Sequence, residues 1–159
     1  MGFCYKPIGV IHSNYKQRVG VPIQGALSKD SRGWVEVKPE YKAGLKDIEG
    51  FSHIILVYHF HLSKGYSLLT KPFLENKEHG VFATRAPKRP NPIGVSVVRL
   101  DSVKGNILYV SEVDIVDGTP LLDIKPYIER FDLRENTRKG WIGNKLKNIT
   151  EHHADHRFD

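Results

Sequence analysis

The chain has 159 residues, 40% of them hydrophobic and 26% charged, with a formal net charge of +6 and a sequence pI near 9.4. That balance describes one domain large enough to bury a core, and it excludes a disordered chain or a bilayer-crossing helix, for which no apolar run is long enough. One cysteine, Cys4, rules out an intrachain disulfide and a cysteine-based zinc cluster, while the positive charge suits an anionic partner such as RNA without requiring one.

Residues 1–7 contain no charged leader ahead of a long apolar stretch, and Lys6 stands where a myristoylation motif needs Ser or Thr. A cytoplasmic protein with no membrane partner is expected. Residues 5–12 are rich in β-formers and stop at the turn-prone Ser13-Asn14; residues 34–37 make a second short strand closed by Lys38-Pro39. Residues 50–61 form a nearly continuous apolar run, which predicts a strand buried on both faces. Residues 67–74 fit a short turn or a broken helix limited by Pro72.

Strands over 93–103 and 107–116 follow, joined by Lys104-Gly105-Asn106 as a hairpin turn. Continued to its end, the second places Glu112 and Asp114 on the face of Leu108 and Val110, as a half-wet strand or as acids pointing into a site. Residues 123–127 read as extended around Pro126. The tail over 135–153 carries helical spacing at Trp141, Lys145 and Ile149, weakened by Gly140 and Gly143. There is no internal repeat or linker. The pattern predicts one mainly β domain with a barrel-like core and a few short helices.

The segment from Arg85 to Gly94, Arg-Ala-Pro-Lys-Arg-Pro-Asn-Pro-Ile-Gly, is the most distinctive. Pro87, Pro90 and Pro92 fix φ, remove donors and push their preceding residues towards extended geometry, so a stiff rod like polyproline II is expected. It would present Arg85, Lys88, Arg89 and Asn91 to a charged, hydrogen-bonding ligand, or serve only as a braced surface loop. Asp117-Gly118-Thr119-Pro120 reads as a turn in which Gly118 and Thr119 offer backbone N–H groups. No glycine-rich dinucleotide motif, P-loop or nucleophile elbow is present. His59 and His61 lack a third ligand, and His152, His153 and His156 read as solvated, so no metal is expected.

Several stretches together resemble the TsaA-like domain of the TrmO family. They are residues 7–13 (Pro-Ile-Gly-Val-Ile-His-Ser), 21–25 (Val-Pro-Ile-Gln-Gly), 50–54 with 59–61, 82–96 and 117–127, and by this resemblance the single domain has its core over about 5–132 and a carboxy-terminal extension over 133–159. The resemblance implies a β-barrel methyltransferase fold unlike the Rossmann type, S-adenosylmethionine as cofactor and a homodimer. It also implies methylation of N6 of threonylcarbamoyladenosine beside the anticodon of tRNA. By the same resemblance Pro22, Gln24, His61, Arg85, Arg89, Asp117, Gly118, Thr119 and Pro120 match positions around the cofactor. By the same resemblance the larger bacterial members carry a further carboxy-terminal domain, which is not expected in this chain.

Methyl transfer from a sulfonium needs donor and acceptor held in line and water excluded. Asn91, held between two prolines, is expected to orient the acceptor base; Asp114, Asp117 and His61 stand unranked as general bases. Arg89 is expected to serve the ligand rather than the fold, so Arg89→Ala should weaken cofactor binding without moving the thermal midpoint. A non-catalytic S-adenosylmethionine-binding regulator and a methyltransferase with another acceptor are the alternatives.

Overall fold

The structure is a computed structural model that describes residues 1–22, 25 and 28–151. Its strands are β1 (Gly9–Ser13), β2 (Arg32–Val37), β3 (His53–His59), β4 (Leu69–Thr70), β5 (His79–Gly80), β6 (Ile93–Lys104), β7 (Ile107–Ser111) and β8 (Thr119–Pro126). Six of them close into an antiparallel barrel in the order β1-β2-β7-β6-β3-β8, with β8 paired back onto β1. The mainly β, barrel expectation is met, with a small ribbon and a few short helices beside the barrel among the described residues.

Period-two alternation decides which side chains enter the barrel. Ile11, Val35, Val37, Ile54, Leu56, Val98, Leu108, Val110 and Leu121 point inward and are almost fully buried. β3 differs from the expected strand buried on both faces: Ile54, Leu56 and Tyr58 are buried, whereas His53, Ile55, Val57 and His59 are only half covered. A closed barrel has one interior, and the apolar run is continuous because the outer face of β3 is apolar too.

β7 ends five residues sooner than the expected strand. Glu112 adopts φ 61°, in the left-handed region that a non-glycine residue enters only when its surroundings enforce it. The buried set therefore slips from Leu108 and Val110 to Ser111, Val113 and Ile115. Asp114 consequently does not share a face with Leu108 and Val110; the kink turns it away from the barrel core.

β4 lies where a short turn or a broken helix was expected over 67–74, and it forms a separate two-stranded ribbon with β5, pairing Leu69 with Gly80 and Thr70 with His79. The carboxy-terminal segment contains α1 (Glu129–Asp132) and then 3-10 turns over Gly140–Glu151 rather than an α-helix. It is tied to the ribbon. The Trp141 ring stacks on His79 at 4.7 Å, its indole N–H donates to the Ala83 carbonyl at 2.8 Å, and Lys145 pairs with Glu75. The hydrogen bond from Lys145 pulls the Glu75 carboxyl down to about 2.

Candidate functional site

A pocket of about 550 Å³ opens where the ends of β3 and β6 meet the proline-rich segment and the chain between β7 and β8. Its floor is a polar chain built on neighbouring strands. Tyr58 of β3 lies opposite Gly94 of β6, and Ser96 is two residues further along the same inward face. Gly94 is required there because a Cβ would overlap the Tyr58 ring and come within 2.9 Å of Phe60. The two rings meet edge to face at 5.5 Å.

The Tyr58 hydroxyl and the Ser96 Oγ are 2.9 Å apart, and Ser96 Oγ donates to Asp114 Oδ1 at 2.6 Å. With the serine hydrogen directed at the carboxylate, Tyr58 is the donor to Ser96. Burial, followed by the Asp114 charge, raises the Tyr58 phenol well above its ordinary value, so it stays protonated. Burial likewise raises the Asp114 carboxyl, opposed by the Ser96 and Gly25 hydrogen bonds and by the Arg85 charge. A side chain at position 25 would collide with the Glu112 carbonyl, so glycine is what lets this loop approach the kink.

Arg85 and Arg89 of the proline-rich segment and Thr119 of β8 line this same cavity, so the two segments singled out in the sequence converge. Pro22 and His61 line it as well. Asp117, Gly118 and Pro120 adjoin it through Thr119 without lining it. Asp117 is committed to β1: its carboxylate accepts from Lys16 at 2.7 Å, from the Ser13 N–H at 3.1 Å and from His12 at 3.3 Å. Those bonds, Lys16 first, hold its carboxyl below the usual range. The expected turn is present, but the Gly118 N–H does not face a ligand; it donates to the Ile11 carbonyl at 2.9 Å. Asn91 is exposed and is not among the pocket's lining residues. Gln24, His152, His153 and His156 lie outside the described residues.

The proline-rich segment is irregular, as expected, but it is not a rod. Arg89 N–H donates to the Pro87 carbonyl at 2.9 Å and Ile93 N–H to the Asn91 carbonyl at 2.7 Å, and a polyproline II helix has no such internal bonds. The Arg89 guanidinium gathers the bend: Nη1 lies 3.2, 2.9 and 3.1 Å from the carbonyls of Val81, Thr84 and Ala86. Arg89 thus serves the fold as well as facing the pocket.

Desolvation, then the neighbouring His59, lowers the His61 imidazole, leaving it neutral at neutral pH. Its Nδ1 lies 3.4 Å from Thr119 Oγ1, which itself donates to the Val116 carbonyl at 2.6 Å. Among the described residues no three potential metal ligands gather.

Phe73, Phe60, Arg18, Tyr58 and Ser96 were not singled out as site residues in the sequence, whereas Asp114 was. Asp114, three residues past the end of β7, had been singled out as an acid pointing into a site and as a candidate base.

A family profile described as the tRNA-methyltransferase O N-terminal domain matches residues 10–133. A Pyrococcus abyssi protein named as a probable S-adenosyl-L-methionine-binding protein is 59% identical over 98% of this chain and 84% of its own length. The mouse tRNA (adenine(37)-N6)-methyltransferase is 37% identical over 82% of this chain and 32% of its own length. Among solved structures, TrmO from Pseudomonas aeruginosa superposes with a TM-score of 0.76 at 38% identity, covering 89% of this chain. The chain spans 62% of that TrmO chain and about a third of the mouse protein.

Proposed function

The chain belongs to the TrmO family, and from that premise we propose that it methylates N6 of adenosine in tRNA with S-adenosylmethionine, the acceptor being threonylcarbamoyladenosine. The observation that carries this reading is the convergence of Arg85, Thr119, His61 and Asp114 on one pocket with apolar walls. Its volume falls in the range of small-molecule sites, roughly 300–1,000 Å³. The lining also fits the cofactor's chemistry, with guanidinium and carboxylate for a charged amino-acid end and Phe60, Phe73 and Val116 for a nucleoside.

When bound, S-adenosylmethionine supplies a methyl group activated by its sulfonium. The chain's own residues position and deprotonate. Arg85 holds a carboxylate, and the apolar walls exclude water, so that donor and acceptor sit in line at near-attack distance. Thr119 has given its hydrogen to Val116, so in its contact with His61 the Nδ1–H is the donor and Nε2 keeps its lone pair. His61 Nε2 is then the base that takes the N6 proton. Asn91, on the exposed side of the proline-rich segment, orients the acceptor base.

A cytoplasmic homodimer is part of the proposal. Ile93, Val95 and Val97 form an outward apolar stripe on β6, 38–55% exposed, and also line the pocket's edge. A second copy covering that stripe would close the open side of the pocket; light scattering on the purified chain tests this.

A second reading, a non-catalytic binder of S-adenosylmethionine, is favoured by the name of the archaeal relative. One experiment separates the two: the pure protein is incubated with methyl-labelled cofactor and bulk tRNA with and without the threonylcarbamoyl group. Label confined to modified tRNA supports the transferase. Tight binding without transfer supports the binder, and label in small metabolites alone points to a different acceptor.

A further inference from the structure

Asp114 is the one carboxylate among the described residues of a pocket that it shares with Arg18, Arg85 and Arg89. Arg85 stands nearest in effect: its positive charge is felt by both Asp114 and Tyr58.

Three separate devices put the carboxylate there. The left-handed Glu112 turns it out of the barrel, Gly25 allows a loop to approach it, and Ser96, backed by Tyr58, fixes Oδ1. A desolvated carboxylate is costly unless charged and hydrogen-bonding partners gather round it, and beyond the Ser96 and Gly25 bonds and the Arg85 charge Asp114 still faces the cavity, where a cation can reach it. An acid beside a guanidinium is complementary to a group carrying an anion and a cation on one carbon. A lone guanidinium would attract such a group's carboxylate and repel its ammonium.

We propose that Asp114 receives the α-ammonium of the cofactor's amino-acid end while Arg85 receives its carboxylate, making the pair a clamp for a zwitterion. This inference rests on the cofactor reading given above. It places no demand on the sulfonium, so a contact between Asp114 and the reacting centre is a distinct outcome of the test.

The test is calorimetric binding of three ligands to wild type and to Asp114→Asn. The ligands are S-adenosylmethionine, S-adenosylhomocysteine (the neutral thioether) and the analogue of the thioether in which hydrogen replaces the amino group. A charge-assisted hydrogen bond in a recessed site is worth about tenfold in affinity. Wild type should therefore bind the deaminated analogue about tenfold more weakly than the thioether. In Asp114→Asn the two should become equal, with S-adenosylmethionine and the thioether weakened alike.

If wild type binds the deaminated analogue as tightly as the thioether, the clamp is refuted without recourse to any variant. Equal weakening of all three ligands in Asp114→Asn would make Asp114 structural, and weakening of S-adenosylmethionine alone would assign it to the sulfonium; either overturns the proposal. Binding of neither natural ligand to wild type would remove the cofactor reading itself.

Discussion

Arg89→Ala divides the expectation drawn from sequence from the arrangement the fold displays. One nitrogen with two hydrogens serves the carbonyls of Val81, Thr84 and Ala86, at 3.2, 2.9 and 3.1 Å. Hydrogen bonds to a charged group contribute about 1.5–3 kcal/mol each, and partial exposure of the site lets water replace part of that. Two such bonds at about 1 kcal/mol apiece after that discount give a loss of about 2 kcal/mol. For a domain of this size each kcal/mol moves the midpoint by about 2–4 °C, so Arg89→Ala should melt about 4–8 °C below wild type. Arg89→Lys keeps the charge but has no fork to share among the carbonyls, and should fall between the two. Differential scanning calorimetry reads both, and limited proteolysis should find new cleavage within 81–92. A midpoint within about 1 °C of wild type, far below the shift worked from the hydrogen bonds, would refute a structural role for Arg89 in the bend.

Gly94→Ala drives a methyl into the Tyr58 ring, which should destabilise by about 1–3 kcal/mol and break the Tyr58–Ser96 bond; a Tm equal to wild type contradicts this. Because Lys145 lowers the Glu75 carboxyl, docking of the tail is favoured above the ordinary value of 4.5 and that support is lost as pH falls towards about 2. Hydrogen exchange over 141–146 should thus accelerate relative to the core in acid, and Lys145→Ala should abolish that dependence. The raised Asp114 carboxyl has the opposite sign: it stabilises only while protonated, and the benefit is lost as pH rises through its raised value. Asp114→Asn should therefore melt above wild type at neutral pH and converge with it below the ordinary value of 3.8. If His61 is the base, the acid limb of the turnover profile should lie below 6.5, the unperturbed imidazole value, and vanish with His61→Ala.

Much of the barrel was legible because its strands advertise themselves. Residues 32–37 and 93–100 alternate strictly between exposed and buried, and Gly105 marks the hairpin between β6 and β7. β8 was harder, since Pro120 and Pro126 lie within it and prolines argue against a strand paired on both sides. The ribbon of β4 and β5 has too few residues to establish any period. The cationic half of the pocket could be read from the proline-rich segment. Its acidic half was legible only as one of two alternatives, acids pointing into a site, because orientation at Asp114 depends on a left-handed Glu112 that no glycine or asparagine announces. Arg89 misled for a related reason: sequence reveals a guanidinium, but not which carbonyls the bend will bring within its reach.

Closure of the barrel has a consequence for how the chain folds. The seam joins residues 9–11 to residues 119–121, so the first strand must wait for one of the last before the ring can exist. Contacts so distant along the chain are entropically late and slow folding kinetics, whatever the final stability. During synthesis the opening segment leaves the ribosome with an unsatisfied edge for most of translation. A mutation that weakens the seam should therefore lower the yield of native protein, through self-association of the waiting chain, well before it lowers the melting temperature.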